Sequence, residues 1–147
     1  MSDNSEAAGG PRPDILIPVS VGELVDKITI LQIKSERITD RGQLANVNRE
    51  LAALRVASER IECDPQALQR YTAELKRVNE ALWEIEDAIR DCDARGDFGE
   101  PFIKLARSVY RHNDQRAQLK KAINVASGSR YSEEKSYAAF APRRDPG

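Results

Sequence analysis

Pro101-Phe102-Ile103-Lys104-Leu105-Ala106-Arg107-Ser108-Val109-Tyr110-Arg111-His112-Asn113-Asp114-Gln115-Arg116-Ala117-Gln118-Leu119-Lys120-Lys121-Ala122-Ile123-Asn124 decides the fold. At about 100° per residue, Phe102, Leu105, Ala106, Val109, Leu119 and Ile123 share one arc of a helix. Such an arc is buried against neighbouring elements. Asn113, Arg116 and Lys120 fall on the same arc. Long cationic side chains seldom face a core without partners. The stretch therefore predicts a helical protein with a polar, charged pocket between its helices, and counter-groups for Arg116 and Lys120 elsewhere in the chain.

Upstream, the pattern stays helical. Asp64-Pro65 is an N-cap followed by proline in the first turn, opening a helix that runs to about Ala94. Leu68, Tyr71, Leu75, Val78, Leu82, Ile85, Ile89 and Cys92 form its apolar stripe. Arg95-Gly96-Asp97-Phe98-Gly99 breaks it, and the helix from Glu100 closes at Gly128, a natural left-handed terminator. Asp40 opens a helix that ends near Ile61 and carries Leu44, Val47, Leu51 and Leu54. Ser20-Val21-Gly22-Glu23 reads as a capping box, with Ser20 as N-cap and Glu23 reaching back, for a helix to about Ile38. That first helix is apolar on two sides: Val21, Leu24, Val25, Ile28, Leu31 and Ile38 on one, Ile30 and Ile33 on the other. A helix apolar on two sides is sandwiched.

Short connections favour antiparallel neighbours. The expected fold is all-α: an antiparallel four-helix bundle with long third and fourth helices, a short extended N-terminal arm and a C-terminal tail. Residues 1–13 read as a disordered Gly/Pro/Ser/Asp tail, 14–128 as the helical bundle domain, and 129–147 as a tail that is partly docked or disordered. Asp14-Ile15-Leu16-Ile17-Pro18-Val19 is apolar and extended, and no second strand accompanies it. It is expected to pack on the helices. Tyr131 and Tyr137 suggest that the C-terminal tail docks onto the bundle or onto a partner; the alternative is a disordered end. The alternative for the long helices is a coiled-coil seam joining two copies of the chain as a homodimer.

Composition narrows the functional classes. The 147 residues hold 23 basic and 24 acidic side chains, a formal charge of -1. That balance argues against a nucleic-acid binder. With 40% hydrophobic and 32% charged residues, the mixture suits a solvated helical domain. No run reaches the length of a membrane span, and the acidic, polar start Met1 to Glu6 precedes no apolar signal region. The chain reads as a cytoplasmic protein without membrane insertion. Cys63 and Cys92 have no metal spacing, and Cys92 reads as an inert core thiol. His112 is the only histidine, which disfavours a zinc site or a Ser-His-Asp triad.

The candidate site follows from helical geometry. Asn79, Trp83, Glu86 and Arg90 share a face of the third helix. Asp26 lies on the Ile30/Ile33 side of the first helix, half buried and in need of a partner, with Arg37 beside it. The candidate ligand-binding set is Asp26, Asn79, Trp83, Glu86, Arg90, Asn113, Arg116 and Lys120, with Trp83 and Tyr110 as walls. Glu86 can pair with Arg90 along its helix or reach Arg116 or Lys120 across the interface. The competing reading is a buried ion-pair and amide network that fixes helix register. Arg116 and Lys120, one turn apart, can receive a carboxylate or phosphate.

Two acidic pairs, Glu23/Asp26 and Glu84/Asp87, raise a second chemistry. Carboxylates on facing helices hold Mg²⁺ in all-α nucleotide pyrophosphohydrolases of the MazG type. No cofactor or metal is expected otherwise, Mg²⁺ entering only under that alternative.

The blocks Ile17-Pro18-Val19-Ser20-Val21-Gly22-Glu23-Leu24-Val25-Asp26-Lys27-Ile28-Thr29-Ile30-Leu31, Asn79-Glu80-Ala81-Leu82-Trp83-Glu84-Ile85-Glu86-Asp87-Ala88-Ile89-Arg90, Asn113-Asp114-Gln115-Arg116 and Glu133-Glu134-Lys135-Ser136-Tyr137 resemble a bacterial all-α family. It is designated domain of unknown function six-one-six-five. The resemblance spans about Ile15 to Tyr137 and brings no activity with it. A looser likeness is to another helical family of unknown function, linked to surface-polysaccharide gene clusters. It aligns Asn79, Leu82, Trp83, Glu86, Asp87, Arg90, Asn113 and Arg116. The leading expectation is a non-enzymatic binding or adaptor protein. Its partner is an unknown protein or a small anionic or glycan-related ligand. The alternatives are the Mg²⁺-dependent hydrolase and a structural bundle that dimerises.

Overall fold

The computed structural model describes Gly10 and residues 12–137. Most of the expected N-terminal disordered tail, and the end of the C-terminal tail from residue 138, lie outside the described residues. Four helices make up the regular structure: α1 (Val21–Arg37), α2 (Arg41–Ser58), α3 (Pro65–Ala94) and α4 (Glu100–Ser127). No strand occurs among the described residues. Each start has a local cause. Ser20 Oγ accepts from the Glu23 amide at 3.1 Å, Asp40 Oδ2 from the Gln43 amide at 2.9 Å, and Asp64 Oδ2 from the Ala67 amide at 2.9 Å. These bonds satisfy donors that a helix start leaves orphaned. Pro101 supplies the first turn of α4, and Gly128, at φ 63°, ends it.

The other half of the expected capping box takes a different course. The Glu23 carboxylate bonds Lys120 on α4 at 2.7 Å. An ammonium removed from water is a stronger partner for a carboxylate than a backbone amide at the helix start.

At about 1.5 Å per residue, α3 and α4 are each more than ~40 Å long and α1 only ~25 Å. The two long helices pack together, and α1 touches both of them. α2 packs on α1 alone among the helices. The arrangement is thus a three-helix core with α2 as a flank, which leaves much of α2 in water.

The two apolar sides of α1 account for this. Val25 on α1 meets Leu75 and Ile123, supported by Val21, Ile61, Leu68, Tyr71 and Leu119. Ile28 and Leu31 meet Val47 and Leu51, supported by Leu24, Ile38 and Leu54. Leu75 and Ile123 are completely buried, worth about 1.5–3 kcal/mol each. Gly22 permits a close approach of α1 to α4, because a Cβ there would collide with the Lys120 carbonyl oxygen. The Gly22 amide donates to Asn124 Oδ1 at 2.7 Å, clamping the two helices together.

The N-terminal arm departs from expectation. It is extended, but Ile15 is 91% exposed, and Leu16 and Ile17 also stand in water. An extended segment points side chains to both sides. Without a second surface to receive them, apolar composition alone buries nothing.

The tail after α4 does return to the domain, by polar contacts. The Val21 amide donates to Ser129 Oγ at 3.1 Å, and Ser129 Oγ donates to the Tyr131 carbonyl at 2.9 Å. Glu133 lies 2.6 Å from Lys120. Tyr131 and Tyr137 remain exposed on the domain. Among the described residues no helix is long and apolar enough to cross a membrane.

Candidate functional site

Asp26 is the deepest charged group among the described residues, 1% exposed. Its carboxylate takes a two-pronged contact from Arg116, with Nε at 2.8 Å from Oδ1 and Nη2 at 2.5 Å from Oδ2. Asn79 Nδ2 donates to Oδ1 at 2.9 Å and to Thr29 Oγ1 at 2.9 Å. The Thr29 hydroxyl donates to the Asp26 carbonyl at 2.7 Å. Three charge-assisted bonds on one carboxylate, two of them from a planar fork, link α1 to α3 and α4. The hydrogen bond to Asp26 holds the Arg116 guanidinium above its ordinary pKa, against the opposing effect of burial.

Arg116 of this pair lines a cleft of about 500 Å³. Ile30 and Ile33 from α1, Asn79, Leu82, Trp83, Glu86, Asp87 and Arg90 from α3, and Asn113 and Arg116 from α4 line it. Ile30 and Ile33 place the cleft beside the C-terminal half of α1, the helix that packs on both α3 and α4. Arg116 Nη1 reaches Asn113 Oδ1 at a long 3.4 Å. Both side-chain hydrogen bonds of Asn79 among the described residues leave from Nδ2, which leaves its amide oxygen to the cleft. Trp83 carries the Arg37 guanidinium 5.8 Å from its ring centroid, and Arg37 in turn pairs with Glu84. That hydrogen bond holds Arg37 above its ordinary pKa.

Six of the eight residues picked out by helical geometry line this one cleft: Asn79, Trp83, Glu86, Arg90, Asn113 and Arg116. Asp26 lies beneath it. Lys120 faces a second, polar cavity of about 240 Å³ with Glu23, Asn113, Arg116, Ala117, Glu133 and Lys135. Glu86 pairs with Arg90 at 2.7 Å on its own helix, not with Arg116 or Lys120. Tyr110 is half exposed and forms no wall.

Helical periodicity does not reveal Glu23 and Glu133 as partners of Lys120, Thr29 as a partner of Asn79, or the Gly22–Asn124 clamp. Asn124, one turn beyond Lys120 on the same arc, is the one clue in the chain to that clamp. Burial pulls the Lys120 ammonium down, but hydrogen bonds to Glu133 and Glu23 outweigh it and hold the pKa above its ordinary value. The bond to Lys120 holds Glu133 below the usual carboxylate range.

Among the described residues no three His, Cys, Asp or Glu side chains gather to hold a metal ion. Asp26, Glu84 and Glu86 each face a cation.

The fold and cleft define a small all-helical domain with a polar, Trp-walled site over a buried aspartate–arginine pair. The chain belongs to the family described as Family of unknown function (DUF6165), which matches residues 15–146. No curated protein and no solved structure matches it significantly.

Proposed function

We propose that the cleft binds a small, uncharged, polyhydroxylated ligand of the glycan type without acting on it chemically. The carrying observation is the lining itself: an indole wall beside amides and self-cancelling charges. The carboxylates of Glu86 and Asp87 offset Arg90 and Arg116 on the lining, and Asp26 beneath leaves a slight acidic balance. A free anion gains little there. A sugar ring fits this chemistry better, its C–H face on Trp83 and its hydroxyls toward Asn79, Asn113 and Glu86. The volume lies within the usual range for small-ligand sites, roughly 300–1,000 Å³. The helices carrying these residues are read as antiparallel neighbours.

The competing hydrolase would need Asp26, Glu84, Glu86 or Asp87 free to hold Mg²⁺. The cations facing three of the four weigh against it.

Trp83 is the only tryptophan of the chain, so its fluorescence reports on the cleft. Titration with a panel of mono- and disaccharides should shift or quench the emission for at least one sugar. Asn113→Ala should abolish the response while leaving the helical circular dichroism unchanged. A Trp83 response to nucleotide with Mg²⁺, accompanied by nucleotide hydrolysis and no response to any sugar, would transfer the site to the hydrolase reading.

A further inference from the structure

The second cavity, which shares Asn113 and Arg116 with the cleft, has an occupant of its own. Lys120 is 6% exposed, and its ammonium meets two carboxylates, Glu23 at 2.7 Å and Glu133 at 2.6 Å. Glu23 is fixed in the first turn of α1. Glu133 arrives on the extended segment after α4. Before it, that segment is tied through Ser129, and its tyrosines lie in water.

Glu133 therefore enters the cavity as a carboxylate on a short tether, held there chiefly by its charge. The charge count shows what it supplies. Without Glu133, the cavity holds Lys120, Arg116 and Lys135 against Glu23 and the Asp26 behind Arg116, an excess of one positive charge. With Glu133 the excess is gone.

We propose that this cavity is a binding site for the oxyanion group of a small carboxylate or phosphate compound, and that Glu133 is its built-in competitor. Held by Lys120, the segment around Glu133 forms a strap along the cavity. An incoming oxyanion takes the Glu133 position on Lys120 and gains the neighbouring Arg116 edge. The segment 131–137 is then released. Asn113 borders both cavities, which would let occupancy of one be felt in the other. The proposal does not depend on the saccharide reading of the first cleft.

The experiment titrates the full chain and its Glu133→Gln variant with acetate and, separately, inorganic phosphate. It is followed by amide NMR at matched ionic strength, with sodium chloride as control. A tethered competitor acts at roughly millimolar effective concentration. Its removal should tighten binding of at least one anion by about tenfold, and saturation of the unmodified chain should shift the amides of residues 131–137 toward those of a free peptide. Stronger binding of acetate identifies a carboxylate ligand, and of phosphate a phosphorylated one; both uphold the site. Lys120→Gln should remove the binding. Glu133→Gln lies outside the helices, so the main comparison stands even if Lys120→Gln fails to fold. Equal affinities for the unmodified chain and Glu133→Gln, binding to neither, or responses matched by chloride would overturn the proposal.

Discussion

Replacing Arg116 by methionine should be among the most damaging single changes that leave side-chain bulk nearly intact. Methionine keeps most of the aliphatic stem, so little cavity forms, and the loss is electrostatic. Asp26, 1% exposed, would retain only the Asn79 amide of its three charge-assisted contacts. Breaking a buried pair from one side costs about 3–5 kcal/mol. For a domain of this size each kcal/mol moves the midpoint by roughly 2–4 °C, so Tm should fall by roughly 6–20 °C.

The converse change, Asp26→Asn, should cost less, about 1.5–3 kcal/mol. Arg116 is 28% exposed on its side chain and can turn into the cleft water, an escape that Asp26 lacks. Asp26→Leu combined with Arg116→Met should be more stable than Arg116→Met alone, because the combination leaves no orphaned charge. Urea unfolding monitored by circular dichroism measures all four chains. An Arg116→Met cost under about 1 kcal/mol, a larger cost for Asp26→Asn, or a double variant no more stable than Arg116→Met alone would refute the reasoning.

The contact of α1 with α4 at Gly22 makes a second prediction. Gly22→Ala forces a methyl group against the Lys120 carbonyl and the Asn124 amide oxygen, and overpacking of this kind costs about 1–3 kcal/mol. Unchanged urea stability would show that the helices separate freely. The strap gives a pH prediction. The folded pKa of Glu133 is lowered, so its contribution is complete above the ordinary value of about 4.3 and is lost as pH falls through the lowered one. The folded pKa of Lys120 is raised, so its contribution is complete below about 10.4 and is lost as pH rises through the raised one. Lys135 and Arg116 also face Glu133 and add to the lowering of its pKa. NMR shifts of residues 131–137 should therefore be flat from about pH 5 to 10 and move at the acid and alkaline ends. A transition near neutrality would mean that another group holds the segment.

Much of the cleft is legible in the order of the residues. Asn79, Trp83, Glu86 and Arg90 repeat at helical spacing, and periodicity puts them on one face whatever that face meets. Asn113 and Arg116 intrude on an apolar arc, and the cost of burying a charge requires a counter-charge. Helical period and desolvation are local rules, so they name the residues of a site even when its partners are unknown. They cannot name the pairs. Asp26 and Glu86 are equally good candidates for Arg116 and Lys120 on local grounds, and helix rotation and offset choose among them. Arg116 takes Asp26, Lys120 takes Glu23 and Glu133, and Glu86 stays with Arg90.

The sequence by itself determined four helices, their caps, the two-sided burial of α1 and the presence of inward charge. Those follow from hydrogen-bonding and apolar periodicity over a few turns. Only the tertiary structure decided that α2 flanks α1 without touching the long helices, that the arm of Ile15 to Ile17 lies exposed, and that a glutamate, not the tyrosines, brings the tail home. Each of these depends on which surface faces another across tens of residues. Apolar composition says that a segment gains by burial; it does not supply the surface that would bury it.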